Sequence, residues 1–253
     1  MSEAPNDATG TPQWLAPLEP IFAGDFEYYR DKLVRDAGGR RVVRAAELLD
    51  QTVLGGVLDH YAGQYPEAER AGVVSLWSQW YFGLYLTPVV AAALALGHGL
   101  PIDLAAVGVV LDDAGTPNAF LLADVGTADV DVTAFLERLA RDHVEPLAAA
   151  LAALGGFSPR VCWSNAGNVF EWAVGEAEKR HGLAADNAGR AIVDRRAFAD
   201  KRRNVLFDPV RMVEVDGAPL RRRRVCCLRY QLPGFGWCDN CPTPGKGTGA
   251  AAQ

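Results

Sequence analysis

The chain has 253 residues, of which 49% are hydrophobic and 22% are charged, enough for a sizeable core in one large or two smaller domains. Five cysteines in this length exclude the disulfide-dense composition of small secreted domains. The net charge of −6 is uneven, because residues 187–253 hold 13 Lys/Arg and 6 Asp/Glu and are strongly basic. This basic end indicates a solvated face or a surface for an anionic ligand or acidic redox partner; no recognised nucleic-acid motif accompanies it, so nucleic acid is not expected as a partner.

The N-terminal part of the chain predicts a flexible leader at 1–20 followed by two amphipathic helices. The leader lacks the basic region and apolar run of a secretory signal, so we expect a reducing cytoplasmic location in which clustered thiols favour metal over disulfide. The helices are predicted at 25–36 and 45–61, the second because its apolar residues recur every three or four positions.

A long apolar helix is predicted next, since no charged residue occurs from Ala71 to Ile102. The stretch is long enough to span a bilayer, so a transmembrane helix is an alternative. Polar residues such as Ser75 and Ser78 interrupt it, and Pro88 removes a backbone donor. These features favour a helix buried in a soluble core and broken at Pro88.

Beyond this helix the apolar pattern changes to short runs separated by turn residues, which predicts a β-hairpin near 105–123. Further helices are predicted at 132–154, 158–180 and 188–203, and strands at 211–215 and 222–230.

The predicted fold class is therefore α+β and mainly helical. We expect a helical body at 21–210 that contains the hairpin and binds substrate. A short C-terminal β and turn element at 211–243 would carry metal ligands, and a disordered tail would follow at 244–253.

Four of the five cysteines lie within sixteen residues near the C-terminus, as Cys226-Cys227 followed by Cys238 and Cys241 in the spacing C-C-x10-C-x2-C. Four thiols suit one metal centre, either tetrahedral zinc or an iron–sulfur cluster. Successive side chains of a regular strand point to opposite faces, so the adjacent pair can serve one centre only if the backbone departs from strand geometry. The fifth, Cys162, is expected to be a core residue.

The spacing favours an iron–sulfur cluster over zinc, because structural zinc sites use two C-x2–4-C knuckles and the first pair here has no spacer. It matches neither common ferredoxin spacing, so zinc and unrelated or disulfide-forming thiols remain open on chemistry alone. Leu228, Tyr230, Phe235 and Trp237 are placed to shield such a site from water.

The residues around these cysteines carry a family resemblance. The segments RVCCLRY at 224–230 and GFGWCDNCP at 234–242 resemble the C-terminal motif of the FhuF-like ferric-siderophore reductase family, with the cysteine spacing matched without a gap. A weaker likeness covers the length, the helical N-terminal region and the segment Cys162–Asn168. The resemblance implies a [2Fe–2S] cluster held by Cys226, Cys227, Cys238 and Cys241.

The resemblance also implies a function, namely one-electron reduction of ferric iron in imported siderophore complexes, with Fe(II) released in the cytoplasm. No catalytic residue beyond the cluster is expected. A zinc-stabilised binding module and an iron–sulfur carrier or sensor are the alternatives. Arg222, Arg224 and Arg229 are candidates for docking an anionic chelate, or else lie on an exposed strand face.

The electron source is expected to be a separate donor such as a ferredoxin or flavoprotein. No G-x-G-x-x-G follows a predicted strand, so no bound NAD(P) or flavin is expected. The other expected partner is the ferric siderophore, and a peripheral contact with an importer at the inner membrane is compatible with this interpretation.

Overall fold

A computed structural model describes residues 11–215 and 217–243 of the chain. Helices and strands are numbered in chain order, and short 3-10 helices at Gln13–Ile21, Gly24–Lys32, Glu47–Leu49 and Arg229–Gln231 are not numbered. The helices are α1 (Gln51–Ala62), α2 (Arg70–Leu96), α3 (Val132–Arg138), α4 (Glu145–Gly155), α5 (Arg160–His181) and α6 (Ala188–Asp194). The strands are β1 (Leu33–Val34), β2 (Val42–Arg44), β3 (Val107–Leu111), β4 (Pro117–Leu122), β5 (Val210–Val215) and β6 (Ala218–Arg223).

The core is built around α2, which is apolar on every side and packs most extensively against α5. A helix that is hydrophobic all round has to be enclosed by other elements. By length and composition α2 could cross a bilayer, but 67% of its most apolar window is buried inside the protein. It runs through Pro88 without a break, so the predicted break there is wrong; Thr87 donates to the Gly83 carbonyl at 2.8 Å within the same turn.

The predicted hairpin is present as β3 and β4, joined through the turn at 112–116. It belongs to a four-stranded sheet in the order β1-β4-β3-β2, in which β1 pairs parallel to β4 and β2 pairs antiparallel to β3. The two outer strands are only two and three residues long, too short for an alternating pattern to reveal them in the sequence.

The N-terminal region is more ordered than a flexible leader. Residues 13–21 form a 3-10 helix whose Leu15, Leu18 and Ile21 are buried, so the part of the predicted leader from 11 to 20 is instead packed on the core. Pro17 and Pro20 remove backbone donors, which prevents a regular α-helix here. Residues 1–10 of that leader and the predicted disordered tail at 244–253 lie outside the described residues.

Several predicted helices differ in extent. The segment at 25–36 is a 3-10 helix followed by β1, and the helix expected at 45–61 begins at Gln51, where Asp50 caps it by accepting from the backbone of Thr52 and Val53. The helix predicted over 132–154 passes through one π-helical stretch, Leu139–Val144, between α3 and α4. The helix predicted at 188–203 ends at Asp194.

The C-terminal element begins with the hairpin β5–β6, which is separate from the larger sheet. Its second strand ends at Arg223, not at 230 as predicted, and an irregular loop with one 3-10 turn follows. The α+β, mainly helical fold class is confirmed. The four cysteines lie in the irregular segment after β6, which packs against α2 and α5.

Candidate metal centre

The adjacent cysteines lie in a loop that departs from strand geometry immediately after β6. Leu228 adopts a left-handed conformation with φ of 58°, which L residues other than glycine and asparagine rarely adopt. Residues 224–225 form a bend and residues 226–228 have no regular structure, so the alternation of a strand is already lost where the two cysteines lie. Cys227 and Cys241 are 2% and 4% exposed, while Cys226 and Cys238 are half-buried, so all four thiols are at least partly shielded from solvent.

The four thiols form two pairs. The sulfur atoms of Cys227 and Cys238 are 3.7 Å apart, and the Cys226 thiol lies close enough to that of Cys241 for the two to interact. Two thiolates on one tetrahedral metal ion, each about 2.3 Å from it, are separated by about 3.8 Å. The first pair therefore has the spacing of two ligands to one metal atom.

A two-metal centre fits this arrangement better than a single zinc ion. In the described residues no three His, Cys, Asp or Glu side chains converge as they would around one ion. A [2Fe–2S] cluster has two iron atoms with two protein ligands each, which is the two-plus-two grouping of these thiols. The donor set thus fits a [2Fe–2S] cluster, with the four cysteines as its ligands; that ligand assignment stays a prediction.

Backbone donors are directed at the sulfurs. The Leu228 N–H donates to Cys226 Sγ at 3.5 Å, and the Arg229 N–H lies near Cys227 and contributes to the lowering of its pKa. Donors of this kind stabilise the thiolate form and tune the reduction potential of a cluster. The bond with Cys238 lowers the pKa of Cys227, helped by the positive charge of Arg223, and the same bond raises the pKa of Cys238.

Two arginines face the thiols with unsatisfied donors. Arg223 is 5% exposed and interacts electrostatically with Cys227 and Cys238, and its buried Nε has no hydrogen-bond partner. Arg229 also has a buried Nε without a partner. A buried guanidinium without a carboxylate is costly unless another anion compensates it. Thiolates and sulfides of a bound cluster carry negative charge and accept hydrogen bonds, so both arginines fit a cluster at this position.

A buried polar network anchors the cysteine loop to α2 and α5. The Ser75 hydroxyl donates to the Cys227 carbonyl at 2.6 Å, and the Asn165 amide donates to Ser75 Oγ at 3.0 Å and to Ser78 Oγ at 2.8 Å. The Asn165 carbonyl oxygen accepts from Arg223 Nη1 at 2.6 Å. Asn165 therefore connects the arginine beside the thiols to the helix that holds the backbone of Cys227.

The second cysteine pair is held by a different set of contacts. The Cys241 N–H donates to the Cys238 carbonyl at 3.0 Å, which closes the C-x2-C turn, and the Asn240 carbonyl accepts from the Arg223 N–H at 2.8 Å. The Asn240 side chain donates to Asn168 Oδ1 on α5 at 2.9 Å. The turn is thereby fixed to both β6 and α5.

Close backbone approach completes this packing at Gly72 of α2. A Cβ atom at this position would lie 2.9 Å from Gln231 Cβ and 3.0 Å from Leu232 Cδ1. Only a residue without a side chain lets the 3-10 turn at Arg229–Gln231 lie this near the helix.

With this geometry established, comparison with known proteins identifies the family. The family described as "Ferric iron reductase FhuF-like transporter" matches residues 75–220, which is more than half of the chain. The chain belongs to this FhuF-like family. The family described as "FhuF 2Fe-2S C-terminal domain" matches residues 223–242, a range that contains all four clustered cysteines. The FhuF-like protein therefore carries a [2Fe–2S] cluster.

A curated relative supports the same relationship. The protein named "Ferric siderophore reductase" from Escherichia coli (strain K12) is 28% identical over 177 residues. The match covers 68% of this chain and 66% of the relative's length, slightly under two thirds.

The three arginines predicted to dock a chelate occupy different environments in the FhuF-like protein. Arg224 forms an ion pair with Asp208 at 2.7 Å, Arg222 has a buried Nε without a partner, and Arg229 lies beside Cys227. They do not form one strip. Their role in docking stays a prediction, and Arg229 is favoured because it is the one of the three that interacts electrostatically with Cys227.

The residues predicted to shield the site lie around the loop, although not all of them are buried. Tyr230 and Trp237 stack with ring centroids 4.2 Å apart, yet Tyr230 is 42% exposed. Phe235 packs against Tyr65 with centroids 5.9 Å apart, and the Arg229 guanidinium lies 5.3 Å from its ring centre. Cys162 is fully buried, and burial raises its pKa to about 12, which fits the core role predicted for it.

Sequence reasoning missed the residues that support the thiols, namely Ser75, Asn165, Arg223 and Asn240. A signal for the first was present, because Ser75 and Ser78 lie three apart in a stretch without charged residues and so fall on one helix face. Asn165 lies in the tryptophan-bearing segment that carried the weaker family likeness. Nothing in the local pattern distinguished Arg223 from its three arginine neighbours.

Proposed function

We propose that this protein is a ferric-siderophore reductase that passes one electron to Fe(III) held in a siderophore complex and so releases Fe(II). The observation that carries the proposal is the two-plus-two arrangement of Cys226, Cys227, Cys238 and Cys241 in a [2Fe–2S] segment attached to an FhuF-like body. The name of the Escherichia coli relative supports the choice of substrate.

The electron balance is simple. A donor loses one electron and Fe(III) gains one, and the bound cluster supplies the one-electron carrier between them. Fe(III) is a hard cation held tightly by hydroxamate or catecholate oxygens, whereas Fe(II) is softer and is held less well. The reduced iron therefore leaves the chelate, and the step needs no acid or base from the protein.

The protein's own residues would set the electrostatics of this step. Arg223 and Arg229 place two positive charges beside the thiols in a largely buried site, where charge interactions are weakly screened. Positive charge stabilises the more negative, reduced form of the centre and thereby raises its reduction potential. The network through Asn165 holds Arg223 in that position.

We further propose that the electron donor is a separate protein with an acidic docking surface. A cavity of 380 Å³ next to Val225 is lined by four arginines and by one acidic residue, Asp208, which pairs with Arg224. Arg196 stacks over Phe207 and Arg203 over Trp163, so both guanidiniums present charge at the surface. We call this cavity, lined by Arg160, Arg196, Arg203 and Arg224, the arginine cavity.

The donor proposal has a direct test. Arg196→Glu combined with Arg203→Glu should slow reduction of the centre by an acidic donor such as a ferredoxin, and added salt should reduce the difference from the wild type. NADPH alone should leave the oxidised protein coloured. Rapid bleaching by NADPH without a donor protein would contradict the proposal.

The reaction itself is tested with the dithionite-reduced protein under nitrogen. Mixing it with a ferric siderophore and a chromogenic Fe(II) trap should produce the Fe(II) complex while the protein returns to its oxidised spectrum. Cys238→Ser should abolish both the colour and the reaction, and the matched control Cys162→Ser, at a thiol in the core, should retain both.

Two results would redirect the proposal. A coloured protein that reoxidises in air but yields no Fe(II) from any siderophore is a carrier or sensor. A zinc-containing, colourless protein is a structural module. Release of Fe(II) in the cytoplasm is part of the proposal, since a reducing compartment keeps clustered thiols available as metal ligands; cell fractionation that placed the protein outside the cytoplasm would contradict it.

A further inference from the structure

We propose that the ferric siderophore docks in a groove between α2, the 3-10 helix Gly24–Lys32 and the cysteine loop, and that this groove takes chelates without net positive charge. The inference rests on the proposed function and adds the place and the ligand class. The groove has a volume of 470 Å³. It is lined by Tyr28, Tyr29, Leu76, Gln79, Trp80, Gly83, Leu84, Val169, Arg223, Arg229 and Phe235.

The groove lies close to the thiols. Arg223 and Arg229 line the groove and also interact with Cys227, which belongs to the predicted ligand set. A chelate in the groove would therefore be separated from the thiols by single side chains. Short separation is what electron transfer to a bound metal ion requires.

The wall of the groove is largely aromatic. Tyr28 is 56% exposed and Trp80 is 43% exposed, which places both among the few large apolar side chains that the described chain leaves in water. Tyr29 and Phe235 extend the same surface. Pockets for organic ligands combine aromatic and apolar walls with a few polar groups, and these rings fit the organic periphery of a siderophore.

Open space lies next to Gly83 in the middle of α2. A Cβ atom there would meet nothing within 4 Å, although glycine in a helix interior costs about 1 kcal/mol relative to alanine. Gly83 lines the groove, so any larger side chain here would extend into the space that the ligand would use.

The charged residues that line the groove are positive. Among the described residues that line the groove two are arginines and none is acidic. A cationic chelate would bring a third positive charge close to these guanidiniums in a partly desolvated site, whereas a neutral or anionic one would not. The groove should therefore bind neutral hydroxamate and anionic catecholate complexes better than cationic ones.

The test uses gallium(III) siderophores, which resemble the ferric complexes in charge and size but accept no electron under these conditions. Binding to the oxidised, cluster-loaded protein is measured by titration calorimetry and by quenching of tryptophan fluorescence. Gly83→Phe should weaken binding of the neutral gallium complex by about tenfold or more, since the new ring occupies the groove.

A matched control is available in α1, where Gly56 is also a helix-interior glycine and a Cβ atom added to it would meet nothing within 4 Å. Gly56→Phe should bind the gallium complex as the wild type does. Both variants should keep the visible spectrum and the iron content of the wild type, because a Cβ atom at either position meets nothing within 4 Å and neither glycine is a predicted cluster ligand.

The remaining outcomes decide the proposal. Unchanged affinity in Gly83→Phe, loss of affinity only in the double variant Arg196→Glu and Arg203→Glu, tighter binding of a cationic complex, or no binding of any complex to the wild type would each overturn it. Failure of the proposed function is a separate result. If Gly83→Phe weakens binding of the gallium complexes but the wild type yields no Fe(II) from the ferric forms, the docking site is supported and the reductase function is rejected.

Discussion

Replacing Asn165 by leucine removes the residue that links Arg223 to α2 in the buried network beneath the thiols. The Arg223 guanidinium would lose its 2.6 Å acceptor at a position where only 5% of the residue is exposed. Ser75 and Ser78 would each lose the hydrogen bond that they accept from Asn165 but would keep the bonds that they donate to backbone carbonyls. The main cost is therefore the unsatisfied buried cation.

The magnitude follows from these contacts. A buried hydrogen bond to a charged group is worth about 1.5–3 kcal/mol, and the lost serine contacts add a smaller amount, so Asn165→Leu should lower the free energy of unfolding by roughly 2–4 kcal/mol. In a chain of this size that corresponds to a fall in Tm of about 5–15 °C. The matched control is Asn118→Leu, which breaks an exposed bond to Arg40 and should cost about 0.5 kcal/mol or less.

The assay is guanidinium denaturation under nitrogen, followed by the fluorescence of buried tryptophans such as Trp77 and by the visible absorbance of the cluster. A double-mutant cycle with Arg223→Met isolates the link, because Asn165→Leu should cost less by about 1–3 kcal/mol once the cation is gone. Equal costs in both backgrounds, or a cost of Asn165→Leu no larger than that of the control, would refute the reasoning.

Three further predictions concern the loop and the core. Gly72→Val should lower the iron content of the purified protein, since its side chain would press on Leu232; an iron content equal to the wild type would contradict this. Leu228→Gly should retain the visible spectrum whereas Leu228→Val should lose much of it, because φ is 58° and a β-branched residue is strained there; equal spectra would argue against the loop geometry. Burial lowers the pKa of His143 from 6.5 to about 4, so the unfolded chain takes up its proton first as the pH falls. Stability should therefore drop by about 1.4 kcal/mol per pH unit between those values, and His143→Gln should flatten that part of the stability curve measured by urea denaturation; an unchanged slope would contradict the assignment.

The sequence predicted the fold where a pattern was long and regular. The charge-free stretch of α2 and the paired runs of β3 and β4 were recognisable because their periods persist over enough residues. The 3-10 helix at Gln13–Ile21 was not, since its burial depends on tertiary contacts of Leu15 and Leu18 that composition does not reveal. A distant contact also lies at the early end of α6, where the Asn204 side chain donates to the carbonyls of Ile192 and Arg195.

In the candidate site, too, the local features could be predicted from the sequence and the long-range contacts could not. The cysteine spacing is local in the chain, so it could be read directly, together with the requirement that Cys226 and Cys227 lie in irregular backbone. The support for that loop comes from residues far away in sequence, such as Ser75 at 152 positions from Cys227. The groove is likewise formed by three distant segments, and only the folded chain brings Gly83 near Arg229.

The central claim is that the paired thiols hold a diiron centre able to carry single electrons. The most direct measurement is the iron and acid-labile sulfide content of anaerobically purified protein, taken together with its visible and EPR spectra. We predict two iron atoms and two sulfides per chain and an EPR signal that appears on one-electron reduction. Colourless protein with zinc, or with no labile sulfide and no EPR signal after reduction, would contradict the claim.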